Sequence, residues 1–202
     1  MRRALIQLIF CLCSIALASA NAVASTAPGS DRSAQIADAE LKQFLQQNIN
    51  DDQTIQDKFD AEVWLLGMRS RMQPYKVSDN DSYRILNAVY REANNSDLAP
   101  DVVLAVIAAE SSFNRFAISR VGAQGLMQVM PFWKNEIGRP EDNLTDINTN
   151  IRYGCRILQY YLQREKGNLA LALARYNGSV GRTTYSEKVL VIWEQHWRSG
   201  RI

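Results

Sequence analysis

Glu110 stands at the end of eight consecutive apolar residues, Val102 to Ala109, and is followed at once by Ser111 and Ser112. Pro100 suits the first turn of a helix, and nothing from Asp101 to Ser112 would break one. A helix apolar on every face is a buried central helix, so its last turn carries a carboxyl into a poorly hydrated place. Desolvation penalises the charged form and raises the pKa. A carboxyl that keeps its proton near neutral pH is a candidate general acid. The same spacing also fits a structural Glu that leaves the apolar face at the helix terminus and meets water or a Lys. The helix by itself does not choose between the two.

Other polar residues gather at the ends of apolar stretches. Downstream come Ser119, the segment Gly122-Ala123-Gln124-Gly125-Leu126-Met127-Gln128, Met130-Pro131 and Phe132, and later Ala174-Arg175-Tyr176-Asn177-Gly178. Two close glycines let backbone approach another chain or a ligand. Gln128, Tyr176 and Asn177 sit where side chains can converge on a groove. Taken singly, Gly122 to Gln128 is also an ordinary tight turn, and Asn177-Gly178 an ordinary helix C-terminus.

In this order the pieces become specific. Glu110-Ser111, Gly125-Leu126-Met127-Gln128 and Ala174-Arg175-Tyr176-Asn177 resemble the three signature motifs of soluble lytic transglycosylases of the goose-lysozyme-like superfamily. The resemblance runs from about Ala99 to Asn177. It departs at Arg115, where many members carry Pro after the Asn matched by Asn114, and it is loose over Ser179 to Tyr185. It implies a lysozyme-like all-α domain that cleaves the glycan strands of peptidoglycan. The cut bond joins N-acetylmuramic acid to N-acetylglucosamine, and the product carries a 1,6-anhydro end. Glu110 would be the acid and then the base. Tyr176 would hydrogen-bond and orient it, and Asn177, Ser119 and Gln128 would hold the sugar and its acetamido group. Met127 and Phe132 would give an apolar floor, and Ser111 would contact either the glycan or the helix end. No metal and no cofactor is implied. Glycosidases of the two-carboxylate kind place the pair about 5–10 Å apart. The candidates for a second carboxylate are Glu136, Asp142 and Asp146, none of them inside a motif, and Asp146 is better used as a helix cap. The same scaffold could instead hydrolyse the bond as a lysozyme does. A non-catalytic glycan-binding module or helical scaffold is the alternative from another class.

The start of the chain reads as an address. Met1-Arg2-Arg3 precedes an apolar run from Leu8 to Ala18, broken only by Ser14, and then the small-x-small triplet Ala18-Ser19-Ala20. That is the pattern of a cleaved signal peptide, with Ala20 or Ala24 as the cut, and it implies a periplasmic protein. The run is too short to span a bilayer comfortably, so no stable membrane span remains after cleavage. Cys11 and Cys13 lack the small residues that precede a lipidated Cys. Loss of residues 1–20 removes two of the 23 basic residues and none of the 21 acidic ones, so the charges balance. A neutral chain lacks the basic footprint for nucleic acid. Cys155 is then the one remaining Cys, which excludes an intramolecular disulfide and leaves no framework for zinc. The single His196, among Trp193 and Trp197, has no Ser or Cys motif to partner.

The elements that must position the motifs are helices. Asn21 to Ser33 reads as a polar leader. Ile36, Leu41, Phe44 and Leu45 give a short amphipathic piece, and Phe59, Val63, Leu66 and Trp64 another that ends before Pro74. Tyr83, Leu86, Ala88, Val89 and Tyr90 mark a third, ending near Asn94-Asn95. The helix of Glu110 follows, then short helices around Leu126 and Phe132. A long helix capped by Asp146 is stopped by Gly167. Leu169 to Tyr176 and Tyr185 to Trp197 complete the set. The organisation expected is a signal peptide over 1–20, a leader and helical extension over 21–77, and one catalytic all-α domain over 78–202.

Overall fold

The structure, a computed structural model, describes residues 58–199. The signal segment, the leader and the amphipathic piece at Ile36 to Leu45 lie outside the described residues. Seven α-helices follow one another: α1 over 58–72, α2 Asp79–Asn94, α3 Pro100–Ser111, α4 Trp133–Ile137, α5 Ile147–Arg164, α6 Leu169–Tyr176 and α7 Thr184–Ile192. A 3₁₀ turn at Gln73–Tyr75 links α1 to α2, and a π-helical turn at Trp193–Trp197 extends α7. Among the described residues there is no strand, only two isolated bridges, Ile118 to Gln124 and Gln124 to Val129.

The all-α architecture around a buried central helix is the one expected. Val102 to Ala108 of α3 are buried without interruption. A helix with no polar side must be surrounded. Here α2, α7 and the π-turn pack on α3, while α5 packs on α2 and α6, and α6 on α7. The order α3, α2, α5, α6, α7 and back to α3 closes a ring about one core. At the start of α3, Asp101 accepts from the Trp64 indole at 2.8 Å and from the Ser199 amide at 2.8 Å and hydroxyl at 2.6 Å. A carboxylate in a first helical turn also suits the positive end of the helix dipole. These bonds fasten α1 and the C-terminal segment to the central helix.

Two elements differ from expectation. Helix α1 forms and ends before Pro74, but it packs through Trp64, Leu65, Met68 and Met72. Of the expected set Trp64 faces the core, while Phe59 is 59% and Leu66 70% exposed. Trp64, Met68 and Met72 recur every four residues and form the stripe that wins. The expected helix around Leu126 is a turn instead. Gly125 and Gln128 have φ of +77° and +49°, left-handed values that no right-handed helix accepts. Asp146 caps α5 as expected, its carboxylate accepting from Thr149 N at 2.9 Å. Gly167 closes that helix, its amide reaching back to the Leu162 carbonyl.

Candidate active site

Glu110 occupies the last turn of α3, one residue before the helix ends, and is half-buried. The chain then turns sharply through Ser112 and Phe113, both left-handed with φ of +50° and +65°. Such strain in residues other than glycine collects at functional sites. Phe113 is held there by burial against Tyr75 and Trp197, at ring distances of 4.6 and 5.4 Å.

The phenol that bonds Glu110 is Tyr185. Its hydroxyl donates to Glu110 Oε1 at 2.6 Å, from the first turn of α7. The bond expected from Tyr176 is not made: that hydroxyl donates to the Met127 carbonyl at 2.7 Å. A phenol has one proton to give, and the buried backbone acceptor takes it. Tyr176 therefore fastens the end of α6 to the Gly125–Gln128 turn, beside Glu110 rather than upon it. The Asn177 side-chain amide lies near the Glu110 carboxyl. Burial pushes that carboxyl above the ordinary carboxylate range. The Tyr185 hydroxyl, the Lys188 ammonium and the Asn177 amide pull the other way without cancelling it. Burial also raises Tyr176 and Tyr185, so both phenols stay neutral.

The turn from Gly125 to Gln128 is built from within. The buried Asn150 of α5 accepts from Met127 N at 2.7 Å and donates to the Gln124 and Leu144 carbonyls, both at 2.8 Å. One amide thus bonds three backbone groups, two of them buried, and the Gln124 carbonyl also accepts from Val129 N. A Cβ on Gly125 would collide with the Leu144 carbonyl and the Asn150 amide, so the position is open to glycine on two grounds, space and φ. Met127 does not supply a groove floor. It is fully buried, and its sulfur lies where a side chain on Gly154 would be. Its contribution to the site is its carbonyl.

The other nominated residues fall around this centre. The Ser111 hydroxyl donates to the Leu126 carbonyl at 2.7 Å, joining the end of α3 to the turn. Gln128 uses its amide nitrogen on the Ala117 and Gly125 carbonyls, at 3.2 and 3.0 Å, which leaves its side-chain oxygen as acceptor. Ser119 accepts from Ala123 N at 3.0 Å and keeps its hydroxyl proton to donate. Phe132 is 53% exposed and packs on Trp133. A groove of about 290 Å³, lined among others by Tyr75, Ser112, Asn114, Arg115 and Phe116, begins two residues past Glu110. A larger cavity of about 760 Å³, lined by Trp64, Tyr90 and Asp101 among others, sits at the opposite end of α3, away from the carboxyl.

Each second-carboxylate candidate has other work or none here. Asp142 accepts from the Tyr153 hydroxyl at 2.6 Å, and that bond, with Arg139 and Arg152 nearby, holds it below the usual range. Asp146 caps α5, and Glu136 is exposed on α4. Among the described residues no group of three or more His, Cys, Asp or Glu could hold a metal ion. No helix among them is long and apolar enough to cross a membrane.

This centre lies inside a stretch with known relatives. The family model for the transglycosylase SLT domain matches residues 87–188, half of the chain, and the chain belongs to that family. The soluble lytic murein transglycosylase of Salmonella typhimurium is 33% identical over 100 residues, 46% of this chain and 16% of that protein. The transglycosylase of enterobacteria phage PRD1 is 36% identical over 92 residues, 46% of this chain and 34% of the phage protein. Membrane-bound lytic murein transglycosylase C of Yersinia pestis is 30% identical over 129 residues, 54% of this chain and 36% of its own length. Among solved structures, the inactive mutant of lytic transglycosylase Slt from Pseudomonas aeruginosa aligns at a TM-score of 0.48 and 29% identity. That alignment covers 54% of this chain and 24% of the Slt chain. The matches thus span about a third or less of these relatives' own lengths.

Proposed function

We propose that this chain cleaves the β-1,4 bond between N-acetylmuramic acid and N-acetylglucosamine in peptidoglycan without consuming water, leaving 1,6-anhydro-muramoyl ends. The observation that carries the reading is Glu110: one carboxyl, raised by burial, held by Tyr185 at the open end of a buried helix. Membership of the transglycosylase family supports the substrate class. A group whose pKa lies above the carboxylate range can give and retake a proton near neutral pH.

In the first step Glu110 donates its proton to the glycosidic oxygen as the C1–O bond breaks, and N-acetylglucosamine leaves with a free 4-hydroxyl. The acetamido group of the muramoyl residue supports the positive charge at C1, as in substrate-assisted glycosidases. In the second step the ionised Glu110 takes the proton of the muramoyl C6 hydroxyl, whose oxygen attacks C1. The carboxyl ends protonated, and atoms balance without water. Tyr185 keeps Oε1 aimed through both steps. Asn177, Ser119 and the Gln128 side-chain oxygen bind the sugar, and the exposed Phe132 ring gives it an apolar surface. Tyr176, Ser111 and Met127 act from behind by fixing the Gly125–Gln128 turn.

The chain is read as 1–20 for export, 21–77 as leader and helical extension, and 78–202 as the catalytic unit, acting in the periplasm where peptidoglycan lies. The test is digestion of purified peptidoglycan followed by mass spectrometry. Muropeptides one water lighter than hydrolytic products are expected. Reducing ends as the main product would replace the reading with lysozyme activity, and binding without cleavage would replace it with a glycan-binding module.

A further inference from the structure

The acid–base cycle leaves one contact at Glu110 unexplained. Lys188 follows Tyr185 by three residues on α7, and residues three apart share a helix face. The Tyr185 hydroxyl takes the carboxyl itself, while Lys188 Nζ donates at 2.9 Å to the carbonyl of Ala109, the residue before it. That carbonyl is among the last four of α3, which find no partner within their own helix. A cation there also faces the negative end of the helix dipole. One turn of α7 thus grips the end of α3 twice, once on the side chain and once on the backbone.

We infer that Lys188 is a positioning residue for Glu110: it fixes the last turn of α3 through the Ala109 carbonyl and holds a positive charge beside a carboxyl that alternates between neutral and charged. The inference rests on the reading of Glu110 as acid and then base. From α7 the carboxyl is bonded by Tyr185 and feels the charge of Lys188, and from the end of α6 it lies near the Asn177 amide and the Tyr176 phenol. The phenols are neutral and the amide uncharged, so Lys188 brings the full positive charge to this set. Burial favours the protonated carboxyl needed in the first step, and Lys188 favours the ionised carboxyl needed in the second. The ammonium is exposed, so its influence is open to screening by salt.

The test follows the carboxyl rather than the reaction. The full chain, labelled with ¹³C in glutamate side chains, is titrated by NMR as wild type, Lys188→Met and Lys188→Arg, with Glu110→Gln to assign the resonance. In Lys188→Met the Glu110 midpoint is expected to move up, and by less in high salt. Lys188→Arg is expected to restore it most of the way. The high-pH limb of kcat/KM on peptidoglycan should move in step, because the first half of the cycle needs the proton. A Lys188→Met midpoint equal to wild type would overturn the inference, as would a Lys188→Arg midpoint displaced as far as that of Met. The titration needs no substrate, so a moved midpoint in a chain that cleaves no peptidoglycan sinks the proposed function and leaves the placement of Lys188 standing.

Discussion

The Tyr185 hydroxyl meets Glu110 Oε1 at 2.6 Å across a separation of 75 residues, and it joins the first turn of α7 to the last turn of α3. This bond stabilises the ionised carboxyl more than the neutral one, and so opposes burial. It also removes the freedom of the carboxyl to turn away from a bound glycan.

Tyr185→Phe is therefore expected to lower turnover more than binding. An interaction that acts on the reacting group appears in kcat, whereas uniform binding appears in KM. Acid–base catalysis as a whole is worth ~10²–10⁴-fold, so losing its orienting bond should cost about tenfold or more in kcat. The high-pH limb of kcat/KM should move upward, because the lost bond favoured the charged form. Steady-state kinetics on peptidoglycan across pH would check both, and a change confined to KM would make Tyr185 a substrate contact.

Tyr176→Phe acts elsewhere. It strands the Met127 carbonyl, whose partner is the Tyr176 hydroxyl. An unsatisfied buried acceptor costs about 1–3 kcal/mol. The variant should melt at lower temperature and lose activity through a loosened turn, with the Glu110 titration midpoint little changed. Denaturant melts with the same NMR titration separate this from a direct bond to Glu110, which would shift the midpoint and leave stability alone.

The difference between these two tyrosines marks what the sequence could say. The buried helix and its terminal carboxyl were legible because eight apolar residues in a row admit few other placements. The motif around Tyr176 was legible as important but not as to partner, since which acceptor a phenol finds depends on packing between α6 and the Gly125 turn. Tyr185 carried no local signal; it stands at the end of the stretch where the family pattern is loose, and only the fold brings α7 to α3. Asn150 was likewise invisible, one polar residue on a helix face otherwise defined by Ile147, Ile151 and Leu158. The shifted face of α1 has the same cause: Phe59 and Leu66 are as apolar as Met68 and Met72, and the neighbours choose.

Asn150→Ala should be among the most damaging substitutions outside the centre. It leaves the Met127 amide and the Leu144 carbonyl without their partner, and the Gln124 carbonyl with Val129 N alone. Breaking a buried hydrogen-bond network belongs to the short set of changes with large effects, here about 2–4 kcal/mol. Activity should fall with stability, because the Gly125–Gln128 turn carries the Gln128 side-chain oxygen. Chemical denaturation would measure the loss, and a cost near that of an exposed Asn→Ala change would mean the turn holds itself.

Glu110→Gln should abolish cleavage and stabilise the fold at once. Burial raises the folded-state pKa of Glu110 above its unfolded value, so the folded chain binds this proton more tightly than the unfolded chain does. The associated stability is complete below the unfolded pKa and is lost as pH rises through the folded one. Above the unfolded pKa the unfolded chain gains by ionising Glu110, while the folded chain either keeps the proton or ionises in a half-buried place, a cost that the neutral amide of Gln does not carry. The melting temperature of Glu110→Gln should therefore exceed that of wild type at pH 7, and the gap should close as pH falls below both pKa values, where Glu110 is protonated in either state. Calorimetry over pH 3 to 8, paired with muropeptide analysis, measures the two effects on one preparation. A gap that did not change with pH would show that Glu110 titrates as an ordinary surface carboxyl, and near wild-type cleavage would show that another group is the acid.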